Sequence, residues 1–265
     1  MHLKKICGQQ CIHLTPTTCS KSLLFLAIVV WALVATAPLV AQGRECGTAR
    51  RPLRIMPLGD SITESKAGYS SYRLTLWNEL RAAGCTINLV GSRRGVSRGF
   101  KNSPFAQPRD ARFDLDHEGH WAYRTDEILQ QLDTWLAKSR PDVVLVHLGS
   151  NDIISGQSND STAKELGQLI DEIRDRNPRA IIIMAQLIPA RRRESEIVAL
   201  NRKISSLATS KNTLESPVKI VNLYRDFSIA RELQGDGVHP NRTGDIKIGK
   251  RFAAALLQSL PRRSF

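Results

Sequence analysis

Five short, almost unbroken apolar runs recur along the chain at residues 53–58, 87–90, 143–148, 180–185 and 218–221. Runs rich in Val, Ile and Leu with no alternation are what strands look like when both faces of their sheet are covered. Between them, residues 69–82, 124–139, 162–177 and 194–210 carry apolar side chains at i, i+3, i+4 spacing, and a last helical pattern covers 243–260. Gly84, Pro141 and Pro178 mark helix exits. Strand and helix in strict alternation predict an α/β fold: a flavodoxin-like, three-layer α/β/α sandwich on a five-stranded parallel sheet, with ligands bound beyond the carboxyl ends of the strands. No internal repeat interrupts the pattern. One long irregular stretch, residues 91–122, remains, and loops of that length are uncommon unless functional.

A chain of 265 residues, 42% of them hydrophobic, suffices for one well-buried domain, placed here at residues 50–262. Residues 1–42 read differently. Lys21 precedes an apolar stretch from Leu23 to Val34, continued by Ala35-Thr36-Ala37-Pro38-Leu39-Val40-Ala41. That is the order of a secretory signal peptide, and an uncleaved N-terminal membrane anchor is the alternative, since the stretch is near the lower length limit for a bilayer of about 30 Å. The net charge is +13. Setting aside Lys4, Lys5 and Lys21 of this leader still leaves ten more basic than acidic residues over 43–265. A summed positive field favours anionic partners, although a solvated basic surface is the simpler reading. No zinc-finger spacing, RNA-binding aromatic box or basic heptad region points to nucleic acid. Cys7, Cys11 and Cys19 lie in the leader. Cys46 and Cys85 each stand just upstream of a strand at the same edge of the sheet, so export into an oxidising compartment leaves a bridge between them open.

Three polar blocks carry the chemistry. Gly59-Asp60-Ser61-Ile62 directly follows the first strand, where a glycine permits a tight turn that exposes a serine oxygen at the sheet edge. The competing structural reading makes Ser61 a helix N-cap, with Glu64 completing a capping box; Asp60 shapes the turn. Gly149-Ser150-Asn151-Asp152 follows the third strand. Asp236-Gly237-Val238-His239-Pro240 stands late in the chain, where Asp236 can hold one ring nitrogen of His239 while the other takes a proton from a hydroxyl. His117 and His120 close no such block, and His147 reads as a satisfied core or strand-end residue.

In this order the three blocks resemble the SGNH or GDSL hydrolases over nearly all of residues 53–260. His117-Glu118-Gly119-His120-Trp121 is further similar to the family three carbohydrate esterases, which remove acetyl groups from xylan and related glycans. The resemblance implies a serine esterase with Ser61 as nucleophile, His239 as base and Asp236 as its orienting acid, acting on an acylated small molecule or glycan without a cofactor. It also implies an oxyanion hole built from Asn151, the main chain of Ser61, and a glycine. Here the sequence departs from the pattern: Trp121-Ala122-Tyr123 puts Ala122 where the glycine would be, with Gly91 as the fallback donor. The N–H survives the exchange if φ is negative. Trp121, Tyr123 and Arg124 are the expected sugar-binding wall. A metal reading of His117-Glu118-Gly119-His120 fails on spacing, because zinc proteases need one more residue between the histidines and a helix that Gly119 disfavours. Arg191-Arg192-Arg193 is read as a solvated start of the helix after strand four. Acyl transfer to a second sugar, or glycan binding without catalysis, remain the rival functions.

Overall fold

The computed structural model describes residues 45–261; the expected signal peptide or anchor lies outside them. Strand β1 (Leu53–Gly59) is central. It runs parallel to β2 (Ile87–Leu89) and β5 (Val143–His147), and β5 to β6 (Ile181–Ala185) and then β7 (Val218–Val221). All five expected strands are therefore present, and all are parallel. Their side chains alternate in period two. Ile55, Leu145 and Ile183 face one layer, while Met56, Val144, Val146, Ile182 and Met184 face the other.

The first layer is α2 (Ser71–Ala82) against α8 (Arg242–Ser259), packed through Tyr72, Leu76 and Leu80 and through Ile248, Phe252 and Leu256. Each set recurs every fourth residue, which keeps it on one helix face. The second layer is α3 (Thr125–Ser139), α5 (Asn159–Arg176) and α6 (Glu194–Lys211), whose Ile128, Leu132, Leu166, Ile170, Leu200 and Ile204 are wholly buried. Short helices α1 (Ser61–Glu64), α4 (Ser150–Ile154) and α7 (Ile229–Glu232) complete the order.

The stretch 91–122 is not irregular throughout. It contains β3 (Arg93–Arg94) and β4 (Asp116–Gly119), paired antiparallel, and β4 lies parallel to the end of β1 with Gly59 opposite Gly119. The sheet thus has seven strands rather than five, in the order β3-β4-β1-β5-β6-β7, with β2 also on β1. One edge of β1 is shared: β2 takes residues 53–55 and β4 takes 58–59. Polar composition hid β4: His117 and Glu118 are fully buried, Glu118 hydrogen-bonded to Ser92 and His120, while His117 accepts the Gly119 N–H on Nδ1 and leaves Nε2 without a partner among the described residues. Cys46 and Cys85 are bridged, tying the segment ahead of β1 to the turn ahead of β2. Among the described residues no helix is long and apolar enough to cross a membrane.

Candidate active site

Adjacent strands β4, β1 and β5 end side by side, and three irregular segments leave their carboxyl ends together. Chain order reverses direction across β1, where a parallel sheet opens the crevice in which α/β proteins bind ligands. From β1 the chain turns at once into α1, whose N-cap is Asp60: its Oδ1 accepts the Ile62 N–H at 2.9 Å. Asp60 therefore takes the capping role that Ser61 could have had. Ser61 is left with its hydroxyl turned toward the late loop.

That loop delivers His239. Its Nε2 lies 2.9 Å from Ser61 Oγ, and its Nδ1 lies 2.9 Å from Asp236 Oδ2. The other Asp236 oxygen accepts the main-chain N–H groups of Val238 and His239, each at 3.0 Å. Partial burial pushes the Asp236 carboxyl up, but those main-chain donors and the imidazole outweigh it and hold the group below the usual carboxylate range. Arg191 braces the loop from outside, donating its main-chain N–H to the Gly237 carbonyl and Nη1 to the Gly235 carbonyl. Arg191–Arg193 are exposed, as the reading of a solvated stretch expects, but Arg191 also holds this loop and lies ahead of the helix. Helix α6 begins only at Glu194, with Arg193 as its N-cap at φ +64.

Asn151 stands in the first turn of α4, after β5, and Nδ2 donates to the Tyr123 carbonyl at 2.8 Å. An amide carries two hydrogens, so one stays available. The main-chain N–H groups of Ser61 and Ala122 have no partner among the described residues. Ala122 has φ +61: the negative φ set as the condition for an easy Gly-to-Ala exchange is not met, and the alanine sits in left-handed backbone that favours glycine. Gly91 has a packing duty of its own, since a Cβ there would come within 2.0 Å of the His117 carbonyl oxygen.

The expected sugar wall is largely engaged elsewhere. Trp121 stacks on the His239 ring at 4.8 Å between centroids and 17° between planes. Tyr123 donates its hydroxyl to Asn102 and lies under the Lys101 ammonium. Arg124 turns back onto Asp126.

Several residues of the site have partners that the sequence did not indicate. Glu64 is buried and accepts the Trp121 N–H at 2.6 Å on one oxygen and Arg93 at 2.5 Å on the other. His120 reaches Glu118 at 2.7 Å and stacks on Trp135, while Ser92 donates its hydroxyl and N–H to the same carboxylate. His147 is a core residue but not a satisfied one: neither ring nitrogen has a partner among the described residues, and burial lowers its pKa to about 4. Among the described residues no group of three or more His, Cys, Asp or Glu is arranged to hold a metal ion.

A parallel α/β sheet with a hydroxyl–imidazole–carboxylate chain beyond its carboxyl edge defines a serine hydrolase. Residues 58–245 match the model of the GDSL-like lipase/acylhydrolase family, and the chain belongs to that family. A carbohydrate esterase family 3 structure from Talaromyces cellulolyticus is 31% identical with a TM-score of 0.68, covering 78% of this chain and 97% of that one. An acetyl esterase variant solved with an acetate ion is 30% identical, with the same TM-score and coverage. A multidomain esterase of Ruminococcus flavefaciens is 26% identical over 242 residues, which are 82% of this chain and 30% of that protein. The chain thus spans less than a third of that relative's length. It is a serine ester hydrolase of the GDSL type.

Proposed function

We propose that the protein is exported and removes acetyl groups from a carbohydrate by way of a covalent ester on Ser61. The observation that carries this reading is the unbroken chain from Ser61 Oγ through both ring nitrogens of His239 to Asp236, each link 2.9 Å. A serine hydroxyl is a poor nucleophile until a positioned base takes its proton. His239 Nε2 accepts that proton as Ser61 Oγ bonds to the acyl carbon. The carbonyl oxygen, now an anion, is received by the N–H groups of Ser61 and Ala122 and the free amide hydrogen of Asn151. His239 then returns the proton to the departing sugar oxygen. Water repeats the sequence on the acyl-enzyme, giving up a proton to the same nitrogen and releasing acetate and the Ser61 hydroxyl.

Size supports a short acyl group. A pocket of about 20 Å³ is lined by Ile62, Ile153, Ile188, Ile197 and Val238, and also by Ser150, Arg192 and Arg193. Three of these, Ile62, Ser150 and Val238, are the sequence neighbours of Ser61, Asn151 and His239. Such a volume holds little more than one water-sized group, which suits a methyl and not a fatty chain. The relatives named for acetyl and carbohydrate ester cleavage support the choice of substrate, and the Cys46–Cys85 bridge supports an oxidising compartment. Ser61→Ala should abolish acetate release from both an aryl acetate and acetylated xylo-oligosaccharides while the circular dichroism spectrum is unchanged. Undiminished turnover by that variant overturns the assignment.

A further inference from the structure

We propose that Trp121 is a positioning residue for the base: its indole face holds the His239 imidazole in line with Ser61, and a buried carboxylate holds Trp121. This rests on the assignment of His239 as base. The near-parallel stack, 4.8 Å between centroids at 17°, is the offset arrangement that aromatic pairs favour. It covers one face of the imidazole. On its edges the ring is fixed at two nitrogens only, by Ser61 and Asp236. During turnover the Ser61 proton moves to Nε2, so the hydrogen bond there is remade at every step, and rotation about the remaining Asp236 contact must be blocked by packing. The indole supplies that packing. Its electron-rich face also attracts the imidazolium that forms transiently, an interaction of the kind that binds cations over tryptophan.

Trp121 is itself located with unusual care for a residue in a long insertion. Its main-chain N–H donates to Glu64 Oε2 at 2.6 Å, and Glu64 Oε1 is paired with Arg93 at 2.5 Å. Arg93 also donates to the Ser103 carbonyl. Glu64 closes the helix that Ser61 opens, so the same four-residue turn fixes the nucleophile at one end and, through Trp121, the plane of its base at the other. A tryptophan serving only as a platform for sugar would leave a face open to the cleft. Here one face is taken by the imidazole.

The experiment compares wild type, Trp121→Leu and Trp121→Phe on 4-nitrophenyl acetate, which carries no sugar, and on acetylated xylo-oligosaccharides. Trp121→Leu should lower kcat on both substrates by about 2- to 30-fold, the range expected for loss of a ring–cation contact, with KM on the aryl ester unchanged. Trp121→Phe should recover most of the loss. An unchanged kcat on the aryl ester, with KM raised only on the oligosaccharide, overturns the proposal and leaves a sugar platform. A second readout does not depend on turnover. The His239 Cε1–H resonance, assigned by its absence in His239→Gln, should sit upfield in wild type through the indole ring current and move downfield in Trp121→Leu. No movement overturns the stack. Absence of esterase activity in the wild-type protein would instead count against the function proposed above while leaving this resonance to report the stack.

Discussion

Asp60 offers a measurable consequence of how the turn from Gly59 into Ser61 is built. Its carboxyl is 1% exposed, and burial, with the nearby Asp152 carboxylate adding to it, lifts its pKa from 3.8 to about 7 against the Ile62 N–H that favours ionisation. Burial in low dielectric penalises the charged form. The folded protein therefore keeps a proton that the unfolded chain releases between pH ~4 and pH ~7, so Asp60 is least costly in acid, and stability falls as pH rises through that window. A shift of about three units corresponds to at most about 4 kcal/mol. Asp60→Asn keeps a side-chain oxygen for the Ile62 N–H and removes the titration. Urea denaturation of both proteins should give equal stabilities near pH ~4 and a variant more stable by up to about 4 kcal/mol near pH ~8, since other titrating groups, Asp152 included, are common to both and largely cancel. If wild type and variant show the same slope of stability with pH, the carboxyl is not held protonated and the account of the turn is wrong.

Asn151→Ala should lower kcat on an aryl acetate by about 10²–10³ with KM little changed, because in the proposed mechanism its amide meets the anion only after Ser61 has attacked; a loss below about threefold removes it from the proposed oxyanion hole. Replacing Cys46 and Cys85 together by Ala opens a loop spanning 39 positions, and the chain-entropy relation puts the cost at about 4 kcal/mol. The urea midpoint should fall accordingly, and an unchanged midpoint would refute that role. Ala122→Gly relieves left-handed backbone at φ +61, a strain of about 1–2 kcal/mol partly offset by the greater freedom of glycine in the unfolded chain. A rise in Tm of about 2 °C with kcat retained is expected, and a fall in Tm would show that the methyl makes contacts worth more than the strain.

The scaffold was legible because burial on both faces leaves a compositional trace. Ile55 to Leu58 and Val143 to His147 read as strands since nearly every side chain meets oil, and the helix stripes at Tyr72, Leu76 and Leu80 or Ile128, Leu132 and Leu136 follow from one apolar face each. The Ser61–His239–Asp236 chain was legible for another reason: each member sits beside turn-forming residues directly after a strand or before a helix, so sequence position stands in for spatial position. Strand β4 had neither signal. Asp116-His117-Glu118-Gly119 is polar, yet its middle two residues are wholly buried. The partners of Glu64 and Glu118 come from segments up to 57 positions away, and no periodicity encodes those.

What sequence pattern misses is therefore of one kind, the buried polar residue that serves the main chain of a loop. Arg73 shows why such residues gather here. It lies in α2 at 0% exposure, on the same helix face as Leu76 and Leu80, where spacing alone calls for an apolar side chain. Its guanidinium donates to the carbonyls of Thr63 and Glu64 at the end of the short helix that begins at Ser61, and to those of Gly95 and Leu115 in the insertion. Loops above a sheet edge carry carbonyls that no ladder can satisfy, and a buried one left without a donor costs about 1–3 kcal/mol. A rigid fork with five donors meets several at once, which an ammonium on a flexible stem does not. The turn that aims Ser61 and the insertion that brings Trp121 over His239 are thus joined through one side chain, so that apolar periodicity accounts for the layers while buried charge accounts for the geometry of the site they support.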